Sequence, residues 1–518
     1  MQTSNSVSVA LAISVSRGVE GGSEPQRAQG DVARGGGDHR AHAEELSPGC
    51  CHCLANLPGH HEPGKSAAGP RAAPALLSYI LRMDTLSPPA PSVPSQARTE
   101  PARASSMASA LVGSEILKIA AEVRALAADG RDICNLTVGD FASSEFRIPE
   151  SLERGIGDAL RRGETNYPPS DGILPLREAI RTFYGRSLGF TPALAEVVVT
   201  GGSRPGIYAA YRSLVDPGDR VVYPTPSWNN NHYVHLSGAE GVPVPCGAET
   251  HFLPTRAMLE DAVRGARLLA VCSPLNPAGT TFTEEGLRDI CELVVEENAR
   301  RGPGERPLFL LYDQVYWTLT FGSVRHVHPI GVCPAVAPFT IYIDGISKAF
   351  AATGVRVGWL VAPRDLAHGM SGLLGHVGAW APRAEQGAVA ALLADGEAIA
   401  SYHATMIAGL QLRLDALHRG FAALRDEGLP VDVVAPEGAI YLSVRVALAG
   451  RTAPDGSSLD SDEAVRAYLL REAGVAVVPF QAFGVTEDTG WFRLSVGAVS
   501  PEQIDRMLGR LRGAIAAT

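Results

Sequence analysis

The chain has 518 residues, 45% of them hydrophobic, and a formal net charge of −10 with a pI near 5.8. That length leaves room for two or three domains with sizeable cores, and the acidic balance excludes a general nucleic-acid or anionic-membrane partner. No apolar run reaches the roughly 18 residues that span a bilayer, and eight cysteines without a disulfide rhythm suit a reducing, cytoplasmic setting.

Residues 1–106 are rich in Gly, Pro, Ser, Ala, Arg and His and carry little periodicity. They are expected to form a disordered or extraneous N-terminal extension, even an upstream run of the reading frame. Within them, Val7–Val15 lacks the basic flank of a signal peptide. Cys50, Cys51, His52 and Cys53 lack the spacing of a tetrahedral zinc site, so no metal is expected. Ala75–Met83 reads as a short helix and Ser87–Pro101 as a linker. Order is expected from Met107, where Ser114 caps a helix with Ile116, Ile119, Ala120, Val123 and Ala127 at helical spacing, stopped by Gly130. The segment ICNLTVGDF predicts a short strand ending at Gly139 and Asp140. A helical pattern from Ser151 to Arg162, the turn NYPPSDG with Tyr167, and a helix from Leu174 to Tyr184 come next.

Glu196–Thr200 predicts a strand, GGSRP a glycine-rich turn, and Gly206–Val215 a helix. Free backbone N–H groups and the helix dipole make Gly202, Ser203 and Arg204 an anion cradle. Asp219–Tyr223 is the next strand, leading into PTPSWNNNHY, where Trp228 is the candidate to stack on a planar ring. The strand Leu268–Cys272 runs into SPLNPAGTTF, which holds Asn276, and a helix over 283–300 precedes the strand Leu308–Tyr312. Asp313, at the end of that apolar run, has lost much of its water and needs a cationic partner. Tyr316 follows at D-x-x-Y spacing.

From Phe339 to Val361, two apolar runs, Thr340–Ile343 and Val357–Val361, predict buried strands around a glycine-punctuated connection that carries Lys348. A lysine held among apolar strands is desolvated, which lowers its pKa and frees a neutral amine to attack a carbonyl. Beyond Pro382 the pattern changes to helices over 384–395 and 397–426, strands over 431–434 and 440–446, a helix over 461–473, strands over 475–478 and 491–496, and a closing helix over 501–515. Such runs predict an α+β unit. Arg493, on the apolar strand WFRLSV, needs an anion for company.

Taken together and in this order, the segments from about residue 110 to 515 resemble the class I/II aminotransferases, a fold-type I family of enzymes that use pyridoxal phosphate (PLP). The motifs are Tyr167 with Gly172, Leu176 and Arg177; the NPAGT block; Asp313 with Tyr316; Ser347-Lys348 followed by Gly354, Arg356 and Gly358; PEGAIYL; and VVPFQAFG. The resemblance implies an α/β fold with a mostly parallel sheet in a large domain (151–381), a small α+β domain (382–518), and residues 107–150 as arm helix and N-terminal part of the small domain. It implies PLP held by Lys348 as an aldimine, with Asp313 on the ring nitrogen, Tyr316 and Asn276 on the ring hydroxyl, and Trp228 on the ring face. Gly202, Ser203, Arg204, Ser347 and Arg356 then hold the phosphate, and Gly139, Asn276 and Arg493 the substrate carboxylate.

The implied reaction moves an amino group between an α-amino acid and a 2-oxo acid, in a homodimer where Tyr167 crosses to the partner's phosphate. A C–S lyase or other α,β-eliminating enzyme keeps the same residues. A PLP-sensing regulator needs an N-terminal DNA-binding module, a pattern missing from residues 1–106. Two points are open. Arg147 and Arg383 are cations without an assigned place, and Gly345 stands where the family usually has a serine. Gly345→Ser is therefore expected to tighten PLP binding about tenfold, unless a positive φ demands glycine.

Overall fold

The computed structural model describes residues 104–518 apart from 112 and 114. The readings of the cysteine cluster, the Ala75–Met83 helix, the Pro-rich linker and the Ser114 cap lie outside the described residues. The first described element is the helical turn Ser106–Ser109, capped by the Ser105 hydroxyl, and the helix Glu115–Ala128 follows. Its Ile119 and Val123, one turn apart, are buried against Leu470 and Ala476.

Among the described residues, fifteen strands form four sheets: β1 (Cys134–Asn135), β2 (Val197–Thr200), β3 (Arg220–Thr225), β4 (Glu240–Pro245), β5 (Leu268–Cys272), β6 (Phe309–Asp313), β7 (Thr340–Gly345), β8 (Gly358–Val361), β9 (Val431–Val433), β10 (Tyr441–Val446), β11 (Arg451–Thr452), β12 (Ser458–Leu459), β13 (Val475–Ala476), β14 (Val478–Pro479) and β15 (Trp491–Ser495). The seven-stranded sheet has the order β2-β8-β7-β6-β5-β3-β4. All neighbours are parallel except where β8 runs antiparallel to β2 and β7. Edge strand β2 is buried throughout, and the inner strands β5 and β6 are buried up to their last residue, which is why VVVT, LLAVC and FLLYD read as continuous apolar runs. The second sheet, β14-β15-β10-β9, is antiparallel. Together the two sheets give the expected α/β fold with an added α+β unit.

Three differences from the sequence reading have physical causes. The strand at ICNLTVGDF is only β1, paired with β13. Past Asn135 the carbonyls of Thr137 and Gly139 accept hydrogen bonds from Arg493 and Lys348, so they are withdrawn from a ladder. Edge strand β4 was not expected, because EGVPVP carries two prolines; an edge strand tolerates them, having one side without ladder partners. The helix Arg364–Val377 was also not expected; it packs Ala367, Met370 and Leu374 against the sheet core.

Two large apolar cores meet at the site. One gathers side chains from Leu152 to Ile399 together with Val478, Phe480, Phe483 and Trp491. The other joins Cys134, Leu136, Phe146, Val315, Tyr316, Leu319 and Phe321 to residues from Met406 to Ile515. The 31-residue helix Gly396–Asp426 spans both, with Ile399 in the first and Met406 to Leu424 in the second. Among the described residues, no helix is long and apolar enough to cross a membrane.

Candidate active site

Parallel strands all end on the same side, so the connections after β2, β3, β5, β6 and β7 converge there. Lys348 lies on the short helix Ile346–Ala349, which begins as β7 ends. Its Nζ donates to the Gly139 carbonyl at 2.5 Å and lies 5.8 Å and 5.9 Å from the ring centres of Tyr316 and Phe141. Loss of water lowers the Lys348 ammonium to about 8; Asp140 opposes the shift, while Arg493, Arg204 and Arg356 add to it.

Asp313 closes β6, and burial pushes its carboxyl up to about 6. The Val315 N–H, 3.2 Å from Oδ1, is the one group that lowers it. Asp344, near the end of the adjacent strand β7, was not marked by the sequence reading. Its Oδ2 accepts from the Tyr184 hydroxyl and the Trp317 indole, both at 2.8 Å, and its Oδ1 from the Gly345 N–H at 2.7 Å. Burial pushes that carboxyl to about 7.

At the end of β2, Gly201 and Gly202 lead into the helix Ser203–Leu214. Gly202 has φ 90°, and a Cβ there would overlap the Arg356 guanidinium. Arg356 itself adopts φ 61°, unusual for a side-chain-bearing residue. This backbone turn returns its guanidinium to the Gly201 carbonyl at 2.9 Å, with the Thr353 carbonyl at 2.7 Å. The Ser203 hydroxyl donates to the Asp344 carbonyl at 3.2 Å. Arg204 lies 5.2 Å over the ring of half-buried Trp228, which also packs on Phe483. Ser347 is buried one residue before Lys348.

The second sheet supplies the opposite wall. Arg493, on β15, is 1% exposed; it donates to the Thr137 carbonyl at 2.7 Å and to Asn276 Oδ1 at 3.2 Å. Its guanidinium lies between the rings of Tyr441 and Phe483, at 4.7 Å and 4.9 Å. Its Nε has no hydrogen-bond partner among the described residues. A side-chain carbon at Gly139 would stand 2.9 Å from the Tyr441 hydroxyl and 3.5 Å from Arg493 Nη1, so only a glycine leaves this corner open.

Lys348, Asp313, Tyr316, Asn276, Trp228, Gly139, Arg493, Ser347 and the Gly202–Arg204 turn with Arg356 are thus brought to one place. Tyr167 is not: it is 82% exposed and meets Trp380 edge-on at 5.4 Å. Arg147 pairs with Glu153 at the surface. Sequence reasoning overlooked Tyr441, Phe141, Asp140 and Asp344. Tyr441 lay within the quoted PEGAIYL block, but nothing local showed that it faces Tyr316. A cavity of about 700 Å³ lined by Asp171, Arg177, Arg364 and His368 contains none of these groups.

The expectation for Gly345 needs correction. Its φ of 162° is extended backbone, open to any residue. A Cβ there would instead meet the Gly358 Cα at 2.8 Å and the Val357 carbonyl at 3.0 Å, because Gly345 and Gly358 face each other in the β7–β8 register. The glycine is required by the close approach of two backbones.

A mostly parallel sheet with a desolvated lysine and a buried carboxylate at its strand ends, faced by a buried arginine from a second sheet, defines the fold-type I transferases. Residues 131–511 match the family model "Aminotransferase class I and II", and the chain belongs to that family. It is 32% identical over 404 residues to an aspartate aminotransferase of Rhizobium meliloti, covering 77% of this chain and 93% of the relative. It is 30% identical over 387 residues to an aspartate/prephenate aminotransferase of Cereibacter sphaeroides, covering 74% and 91%. The crystal structure of the aspartate aminotransferase from Rhizobium meliloti superposes with a TM-score of 0.73 at 30% identity, covering 80% of this chain and 99% of that one. For the Thermus thermophilus aspartate aminotransferase with maleate, the TM-score is 0.70 at 27% identity, covering 79% and 99%. The protein is an aminotransferase.

Proposed function

We propose that the site binds PLP and moves an amino group between an α-amino acid and a 2-oxo acid, with Lys348 as the catalytic residue. The single observation that carries this is the meeting, at Gly139, of a lysine amine lowered to about 8 and a buried arginine whose Nε lacks a partner among the described residues. The residues present fit the cofactor. Asp313 is a buried carboxyl short of a cation, matching a protonated ring nitrogen. The glycine turn at a helix N-terminus, with Arg204 and Arg356 beside it, matches a phosphate.

Bound there, PLP supplies an aldehyde carbon for amines and a ring that accepts the electron pair left when a substrate C–H bond breaks. Lys348 would hold the cofactor at that carbon, and its amine, neutral above about pH 8, would carry the proton from the substrate α-carbon. Arg493 and Gly139 would orient the substrate carboxylate, and Asn276, already bonded to Arg493, would contact the ring hydroxyl. Asp313 would hold the ring nitrogen in its protonated form, Tyr316 would donate to the ring hydroxyl, and Trp228 would cover a ring face. Gly202, Ser203, Arg204, Ser347 and Arg356 hold the phosphate. Tyr167, exposed on this chain, completes that cup from a second copy in a homodimer.

We further propose residues 107–150 and 382–518 as the small domain with its arm, 151–381 as the large domain, residues 1–106 as an extension dispensable for folding, and a cytoplasmic location. The names of the relatives make L-aspartate the first amino donor to assay, with 2-oxoglutarate and pyruvate as trial acceptors. Borohydride reduction of the yellow protein followed by peptide mapping should tag Lys348; a tag elsewhere, or none, refutes the assignment. Turnover that requires a 2-oxo acid marks the transferase, whereas release of pyruvate and ammonia without one marks an eliminating lyase.

A further inference from the structure

Tyr441 has no part in the chemistry above, yet it touches three components of it. Its hydroxyl lies 2.6 Å from the Tyr316 hydroxyl, its ring lies under the Arg493 guanidinium, and it borders Gly139, the acceptor for Lys348. Both tyrosines are buried, at 1% and 3% exposure. They come from different sheets: Tyr316 from the loop after β6, and Tyr441 from β10, where it pairs with Ser495.

A phenol has one proton to donate. If Tyr316 gives its proton to the ring hydroxyl of the cofactor, as the reading above requires, then the proton in the 2.6 Å contact is Tyr441's. We propose that Tyr441 is a positioning residue that donates to Tyr316, fixing its orientation and strengthening it as a donor to the cofactor ring. The proposal rests on the role given to Tyr316. The arrangement is a two-step relay of hydrogen bonds in a site poor in water, where each bond polarises the next. Burial holds both phenols well protonated at neutral pH. The other titratable groups around the pair are Lys348, 5.8 Å from the Tyr316 ring centre, Arg493, Cys272 and Asp140.

The test uses the cofactor-loaded protein without substrate and follows the pH midpoint of the bound cofactor's absorption band. A donor to the ring oxygen stabilises its anionic form, so weakening that donor raises the midpoint. Tyr316→Phe should raise it most. Tyr441→Phe should raise it by roughly half a pH unit, the size of a modest fractional weakening of one charge-assisted bond. In the Tyr316→Phe background, Tyr441→Phe should add nothing. Replacing Tyr441 by difluorotyrosine, an isosteric and stronger donor, should move the midpoint down, and this keeps the idea testable if Tyr441→Phe folds poorly. An unmoved midpoint in both Tyr441 variants, or an equal shift with Tyr316 already removed, overturns the proposal. If Tyr316→Phe itself leaves the midpoint in place, the role of Tyr316 fails first, a distinct result.

Discussion

The seven-stranded and four-stranded sheets build the site in different ways. The first contributes from strand ends and connections: Asn276, Lys348 and the Gly202–Arg204 turn lie beyond the strands, and Asp313 is the last residue of β6, paired with Cys272 and Ile343. The second contributes from inside paired strands. Arg493 faces Ser443 and Val478 across β15, and Tyr441 faces Ser495. The groups proposed to react and to bind phosphate therefore sit where backbone N–H groups remain available, whereas the cation proposed to bind the carboxylate is fixed by strand register. A one-residue slip of β15 would turn Arg493 to the other face of its sheet.

The largest effect expected from breaking this division is at Lys348. Lys348→Ala should reduce kcat/KM by about 10⁴-fold or more, since both the nucleophile and the proton carrier are lost; steady-state assays with aspartate and 2-oxoglutarate would measure it, and retention of a tenth of the activity would remove Lys348 from the chemistry. On the other sheet, Arg493→Lys keeps the charge but loses the two-pronged fork. It should cost about 10- to 100-fold in kcat/KM, mostly in KM. A fall in kcat at constant KM would place Arg493 elsewhere in the reaction.

Gly345→Ser tests the junction of β7 and β8. It should destabilise the protein by about 1–3 kcal/mol through overpacking against the Gly358 backbone, read from the denaturant midpoint. Unchanged stability with tighter PLP would show that the strands part to admit a side chain. The Lys348 shift sharpens the comparison by pH. Its folded pKa, about 8, is below the ordinary 10.5, so between these values the unfolded chain binds more protons and stability rises with pH. In the cofactor-free protein, PLP capture should follow the same neutral amine, with a midpoint near 8 by stopped-flow absorbance. A midpoint near 10 would mean that the lysine is fully hydrated. The smallest effect is expected from removing residues 1–106: kcat/KM should stay within about twofold, and a chain that fails to fold would refute the division proposed here.

How much of this was legible depends on the range over which each feature is encoded. The run FLLYD predicts a buried strand with a carboxylate at its end, and TIYIDGISK a strand with a lysine just past it, because burial and turn formation are decided by neighbours in sequence. The glycine turn before the Ser203 helix is local in the same sense. Arg493 was visible as a charge in an apolar strand, but its partners at Thr137 and Asn276 were not, since they lie 356 and 217 residues away.

By itself, then, the sequence determined the alternation of apolar runs and turns, and with it the chemical groups available at each strand end. Tertiary structure alone decided which groups meet. The Tyr316–Tyr441 contact joins positions 125 residues apart on two sheets, and the close approach of Gly345 to Gly358 follows from the register of β7 against β8. Asp344 became a buried, triply bonded carboxylate through Tyr184 and Trp317, 160 and 27 residues away, with only its Gly345 bond local. The physical reason is that hydrogen bonds and close packing act between atoms in contact, and contact across a sheet is fixed by register and strand order, quantities that no short stretch of residues contains.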